Sequence, residues 1–402
     1  MKKIAASMLI VSLLLSGCVK IPGRVSEAEP METEKIQTET TVPVQPETQP
    51  GVSVRREPQS MEGYEGDFQL LIFEHDLVEV RIPGNESAES QINAWLEQQD
   101  RLFVEGDSNR EDQLFPQGYE EILSAAREAY LEQPEYMNTY YFSRRVEPIY
   151  ADGSYLCILV SNFDYMGGAH GSAARRACMF STQTGQLLTL QDLTDNYEAL
   201  RETAVDFMVK TAESRPDIQN RIAWFGPEEY EQQFSGLLRE GSWCLDGGKL
   251  CFFSDEYEFG PYAAGVVDFR MPLALLDGIL KKEFYPAQHT GEGRIMLKAL
   301  EDEPVLDRVT VDADGASLAL VAEGTVYDVT LQKVVYSEGT YYERDSLWYC
   351  SRMEDEALEI QVWLPDTAAS LKVSYSDADG NHREGLLQQS GKDGSYFLQE
   401  TE

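Results

Sequence analysis

Three hydrophobic patterns succeed one another along the chain. Ile4 to Leu15 is an unbroken apolar run between Met1-Lys2-Lys3 and Leu15-Ser16-Gly17-Cys18. It is too short to span a bilayer and of the length of a signal peptide's apolar region. From there to about residue 62, Glu, Thr, Pro and Gln dominate and no aromatic residue occurs. Such a segment has too little apolar surface to order itself, which predicts a disordered linker. Beyond it, amphipathic periods begin. Phe68–Phe73 and Leu77–Pro83 have strand character. Ile92, Trp95, Leu96, Leu102 and Phe103 fall at helical spacing within 87–103, as do Tyr119, Ile122, Leu123, Ala126 and Tyr130.

The period then changes. Strands are predicted at 139–145, 155–163, 175–181 and 187–190, followed by a helix starting near Asp195 with Glu198 completing a capping box. A further helix starts at Pro227, and a hairpin covers Trp243–Phe253 before a last strand at 266–270. Helices and strands mix without regular alternation, so 63–288 is expected to be an α+β domain with an antiparallel sheet and packed helices. From 291 to 402 the pattern is strand throughout, at 309–311, 317–321, 326–331, 358–364 and 371–375. Short turn-rich spacings there predict a small all-β, sandwich-like domain.

The N-terminus adds location. A basic start, an apolar run, small residues and Cys18 in that order resemble a bacterial lipobox, which implies cleavage after residue 17 and lipid on the Cys18 sulfur. The rest of the chain has no apolar stretch near eighteen residues. The expected protein is therefore lipid-anchored on the extracytoplasmic face of the cell membrane. Charge adds a constraint on partners. Lys and Arg total 33 against 70 Asp and Glu, a net of -37, and loss of Lys2 and Lys3 with the signal lowers it to -39. Such a surface repels nucleic acid and suits a basic protein; it equally serves solubility alone.

With Cys18 lipidated, five cysteines remain. Cys244 and Cys251 flank Gly247-Gly248, and Cys157 and Cys178 are equidistant from Gly167-Gly168. Either pair suits a cross-strand disulfide in an exported protein, and all four suit small buried hydrophobes. No CxxC or Cys/His cluster is present, so no metal site is expected.

Two stretches carry a family resemblance. One is Phe163-Asp-Tyr-Met-Gly-Gly-Ala-His-Gly171 followed by Phe180 to Leu193; the other is Asp255-Glu-Tyr-Glu-Phe-Gly-Pro-Tyr-Ala-Ala-Gly265 followed by Phe269-Arg-Met-Pro272. Together they resemble RsiV-like extracytoplasmic domains of the DUF3298/DUF4163 type. These occur in lysozyme-sensing anti-sigma factors and in the N-terminal regions of peptidoglycan deacetylases. The resemblance implies an α+β fold and an extracellular module of a kind that binds lysozyme in some relatives. The transmembrane and sigma-binding segments of the first group and the catalytic domain of the second have no counterpart here. Read from the residues, Gly167, Gly168 and Gly171 permit positive φ. Tyr165, His170, Tyr257 and Tyr262 are the ligand-binding candidates. The alternatives are a turn-stabilising hydrogen bond for His170 and core-edge packing for the tyrosines.

No G-x-S-x-G, H-E-x-x-H or P-loop motif occurs. Asp377-Ala-Asp379-Gly-Asn381 fails as a calcium loop at His382 and Gln388, and with Asp312–Gly315 it is expected to be a hairpin turn. The expected function is non-catalytic, without cofactor: a binding module for a protein such as lysozyme or for a cell-wall glycan. The alternatives are an envelope assembly factor and a carboxylate-based glycan hydrolase.

Overall fold

Strand β1, Ser53–Glu65, begins inside the segment expected to be linker, so residues 53–62 are corrected to strand. Its composition is polar, but its position is central. It pairs antiparallel with β2 (Phe68–Arg81) along its whole length and with β12 (Thr340–Glu354) at Ser53–Arg55. Val54 is fully buried, and Arg56 is held by Asp76 of β2. Neighbouring strands supply the ordering that local hydrophobicity does not. The computed structural model describes residues 51–106, 118–135, 137–286, 289, 292–300, 304–312, 314–337, 340–363, 369–377, 379–390 and 394–401. The expected signal peptide, Cys18 and the linker up to residue 50 lie outside the described residues.

After β2 come helices α1 (Glu86–Glu105) and α2 (Tyr119–Glu132), then strands β3 (Tyr140–Ala151), β4 (Tyr155–Tyr165) and β5 (Ser172–Ser181). Asn85 caps α1 by accepting a hydrogen bond from Ala88 N, and Gly106 ends it at φ 88°. Helices α3 (Tyr197–Ser214), α4 (Pro216–Gln219) and α5 (Tyr230–Ser235) follow. The α3 cap is Asn196, one residue beyond the expected start, and its side chain accepts from Ala199 N. Strands β6 (Trp243–Leu245), β7 (Lys249–Phe253) and β8 (Asp268–Pro272) form a separate three-stranded sheet. Leu187–Leu190, expected as a strand, makes a single bridge from Leu187 to Phe180.

The remaining strands are β9 (Gly293–Ala299), β10 (Val305–Thr310), β11 (Ala316–Ser337), β13 (Ala357–Val362), β14 (Ala369–Ser376), β15 (His382–Gln389) and β16 (Tyr396–Thr401). The stretches expected as two strands at 317–321 and 326–331 are both parts of β11. Its first half pairs with β9 and β13, its second half with β12 and β14. The chain passes between the two layers at Gly324, φ 78°, where an added Cβ would meet Glu292 O at 2.0 Å. Ile295, Val309 and Ile360 from one layer share a core with Leu331, Trp348, Val373 and Leu387 from the other. The Asp377–Asn381 hairpin turn stands as expected, with Asp377 Oδ1 accepting from Asp379 N and Asn381 N. Asp312–Gly315 is a turn but not a hairpin: the strands it joins, β10 and β11, both pair with β13.

The main sheet runs β16-β15-β14-β11-β12-β1-β2-β3-β4-β5 and is antiparallel except for the β2–β3 pair; off this path, β10 pairs in parallel with β13. The architecture is α+β. Strands from both expected domains are hydrogen-bonded through β1 and β12 into this one sheet. In β4, Tyr155 and Cys157 enter a core with α3, α5 and the small sheet, while Leu156, Ile158 and Val160 enter another with α1. A sheet covered on both faces explains the near-continuous apolar run of β4.

A polar chain crosses this junction. Tyr349 O–H donates to Asp328 Oδ1 (3.0 Å) and its oxygen accepts from Ala151 N (2.9 Å). Burial raises the Asp328 carboxyl to about 6, opposed by the Tyr349 hydrogen bond and the His382 charge. A carboxyl raised in the fold keeps its proton where the unfolded chain, at about 3.9, has lost it. Stability therefore falls as pH rises from about 4 to 6 and stays reduced above that window. Asp328→Asn is expected to add about 1–3 kcal/mol at pH 7 and to flatten that fall, because Asn tolerates the residue's φ of 50°. Chemical denaturation at pH 4 and pH 7 measures it, and an unchanged pH slope in the variant would sink the assignment.

Candidate functional site

The turn between β4 and β5 and the segment 255–265 meet at one place. Gly167 (φ 90°) and Gly168 (φ 97°) turn the chain, and Tyr165 O–H donates to Gly168 O at 3.2 Å. Gly171 serves differently from its expected role. It has no positive φ; a Cβ there would lie 2.3 Å from the Phe163 ring. The turn delivers His170 onto Tyr262, with ring centroids 3.9 Å apart and planes 11° from parallel. His170 Nδ1 faces Gly171 O at 2.9 Å and so carries a hydrogen, which leaves Nε2 of the neutral ring to accept from Tyr257 O–H at 3.0 Å. Tyr257 and Tyr262 ring centroids are 5.9 Å apart.

The second segment is held in a costly conformation. Tyr257 has φ 62°, a region that side-chain-bearing residues seldom adopt. Arg239 fixes the flanks by donating to Asp255 Oδ2 (2.9 Å) and to both Glu258 oxygens (2.6 and 2.8 Å). Glu258 also accepts from Asp255 N at 2.8 Å. Phe259 is buried and its carbonyl accepts from Ala223 N and Trp224 N. Glu256 Oε2 accepts from Ala173 N at 3.0 Å, which ties the segment to β5. Burial, and then the Glu256 charge, raise the Asp164 carboxyl.

What results is a three-ring cluster whose members stay open to solvent. Tyr257 is 43% exposed and Tyr262 37%. Met166, on the adjoining turn, and Trp224, whose backbone N–H donates to Phe259 O, are also exposed. Three of the four candidates, His170, Tyr257 and Tyr262, touch one another, and the fourth, Tyr165, braces the turn that carries His170. Asp164, Glu256, Met166 and Trp224 were not singled out from sequence. Three of these four lie inside the quoted motifs.

The cysteines separate. Cys244 and Cys251 face each other across the β6–β7 hairpin. Cys157 does not face Cys178: it pairs with Met179, and Cys178 pairs with Ile158. The connection is one residue longer than the symmetric spacing assumed, so the two thiols lie on opposite faces of the sheet and in different cores. A Cys157–Cys178 disulfide is thereby overturned. All five described cysteines are buried thiols. Cys157 instead reaches Cys244, and this hydrogen bond raises the Cys244 thiol. Of the other histidines, His75 pairs with Asp100 at 2.7 Å, His382 with Glu384 at 3.0 Å, and His289 stacks on Tyr327. Among the described residues no group of three or more His, Cys, Asp or Glu is placed to hold a metal ion. No described helix is long and apolar enough to cross a membrane.

No family model matches the chain, and no curated protein matches it. Solved structures similar to it include two DUF3298 family proteins. A DUF3298 family protein from Pseudomonas aeruginosa PAO1 is 18% identical, with a TM-score of 0.38, covering 58% of this chain and 96% of its own. A member of the DUF3298 family from Bacteroides fragilis NCTC 9343 is 14% identical, with a TM-score of 0.41, covering 59% of this chain and 96% of its own.

Proposed function

We propose that the chain is a non-catalytic binding module, anchored outside the cell through lipid on Cys18, that takes a protein or cell-wall glycan ligand on the His170–Tyr257–Tyr262 face. The observation that carries this reading is the locked aromatic cluster. Rings from two distant segments are stacked, hydrogen-bonded and braced by Arg239, yet two of them remain more than a third exposed. Aromatic rings fixed in place lose little entropy on binding, which is why such residues dominate interface energetics. The net charge of -37 favours a basic protein partner such as lysozyme.

The test is binding of the full chain to a c-type lysozyme over a salt series that includes physiological ionic strength. Binding that persists there, and weakens about tenfold to hundredfold in Tyr262→Ala with the melting temperature unchanged, is expected. Binding that vanishes above low salt would reduce the effect to acid meeting base. A glycan ligand would appear as the same Tyr262 dependence with wall fragments. One observation favours the hydrolase alternative: the raised Asp164 carboxyl stands beside Glu256 at the edge of this face. Turnover of wall glycan abolished by Asp164→Asn would establish it in place of the binding reading.

A further inference from the structure

The small sheet brings three of the described cysteines to one place. In the β6–β7 hairpin, Cys244 lies opposite Cys251. Asp246 N donates to Lys249 O at 3.1 Å on one side of that pair, and Phe253 N to Ser242 O at 2.9 Å on the other. Antiparallel pairs alternate in type, so Cys244 and Cys251, two positions from each of these, are also a hydrogen-bonded pair, with Cα atoms about 5.5 Å apart. That separation lies within the roughly 4.4–6.8 Å of disulfides. Both side chains are buried in the core that Cys157 enters from β4. Cys244 is within hydrogen-bonding reach of both Cys157 and Cys251. Cys251 Sγ also donates to Asp246 Oδ2 at 3.3 Å. Cys178 and Cys350 lie in other cores and do not compete.

We propose that these three sulfurs form one oxidation site with Cys244 as the shared partner: Cys244 closes a single disulfide with Cys251, and Cys157 stays reduced behind it as the thiol that takes the place of Cys251 when that residue is removed. The oxidant is a disulfide of the oxidised-glutathione class. One cysteine attacks it and expels a small thiol, giving a mixed disulfide; the second cysteine attacks that bond and expels the other small thiol. The two cysteines give up two protons and two electrons as one S–S bond forms, and the oxidant takes them up as two thiols.

Chain distance decides between the two partners. Cys251 is seven positions from Cys244 and Cys157 more than eighty, so loop closure favours Cys251 by about tenfold or more while the chain is still folding. Timing follows from the environment. The bond to Cys157 raises the Cys244 thiol, and the bond to Cys244, followed by burial, raises that of Cys251. Thiols held protonated in a core are poor nucleophiles, so the disulfide forms as the hairpin assembles and before the core closes over it. A Cys244–Cys251 bond staples the hairpin, whereas a Cys157–Cys244 bond would tie β4 of the main sheet to β6. The oxidising surroundings are those of the export proposed above, but the site is tested without it. It shares no residue with the His170 face, so either reading can fail alone.

The experiment refolds the full chain, reduced and unfolded in urea, in a buffer of reduced and oxidised glutathione. Free thiols are then blocked with N-ethylmaleimide in denaturant, and the digested peptides are mapped by mass spectrometry. The parent is expected to carry the Cys244–Cys251 link at least about tenfold over Cys157–Cys244. Cys157→Ala should leave that link unchanged, Cys251→Ala should move it to Cys157–Cys244, and Cys244→Ala should leave Cys157 and Cys251 unlinked. A parent in which all three cysteines are recovered blocked or joined to glutathione would overturn the site, whatever the variants do. So would a Cys157–Cys251 link in Cys244→Ala, or a Cys251→Ala chain with the parent's circular dichroism and no Cys157–Cys244 link.

Discussion

Arg56→Met is expected to lower the stability of the fold by about 3–5 kcal/mol, the cost of leaving a buried charge without its partner. Arg56 and Asp76 have side chains only 1% exposed and lie in contact at 2.6 Å. Arg56 also donates from Nη1 to Ser346 O, so one side chain ties β1 to β2 and to β12. Met fills a similar volume but returns none of these bonds. Asp76 would then keep only Val146 N as a donor to its carboxylate. Arg56→Met/Asp76→Asn removes the stranded charge while retaining an acceptor for Val146 N, and is expected to recover at least half of the loss. Urea denaturation of the two variants and the parent measures both. A cost below about 1 kcal/mol for Arg56→Met would show that water reaches Asp76 in the folded state.

Trp348→Ala is the second large effect, about 3–5 kcal/mol. Trp348 is fully buried in the core between the two layers of C-terminal strands and stands in register with Arg55 of β1 on one side and Leu331 of β11 on the other. It therefore fills the core at the point where those strands join the rest of the sheet. Its indole also donates to Asp307 Oδ2 at 2.9 Å. Asp307 is itself buried, with Arg55 and Arg81 each at 3.6 Å. Trp348→Phe separates the two contributions. It keeps most of the apolar volume, loses the hydrogen bond, and should cost about 1–3 kcal/mol. Equal losses in the two variants would place the whole effect in the hydrogen bond. Loss of a single cooperative transition in Trp348→Ala would show that the C-terminal layers unfold apart from the rest.

The helices and the inner strands were legible because their hydrophobic periods are local. Ile92, Leu96 and Phe103 of α1 recur at helical spacing and are buried. The residues at 155–163 read as strand whether one or both faces are covered. β1 was not legible, since its order comes from hydrogen bonds to β2 and β12 and from one buried ion pair with Asp76, partners that sequence does not place next to it. β12 was missed for a similar reason: its polar stretch before Ser346 gives no alternation to read. Register was equally beyond reach. A one-residue difference in the β4–β5 connection put Cys157 and Cys178 on opposite faces, where symmetric spacing had put them together.

The candidate site divides along the same line. Sequence alone determined the chemistry available: an isolated His170, two tyrosines in a glycine-rich segment, a strong negative charge, and no recognisable nucleophile or metal-ligand pattern. Those follow from residue identity and short spacing. Only the tertiary structure decided that the rings meet. His170 and Tyr257 are 87 positions apart, and their contact depends on where β5 carries Ala173 relative to Glu256. The cleft beneath α1, lined by Asp76 and Arg144, depends still more on the fold. Nothing in either residue's neighbours marks it; the cleft exists because two parallel strands part and a helix covers the gap, a geometry set by long-range pairing and burial.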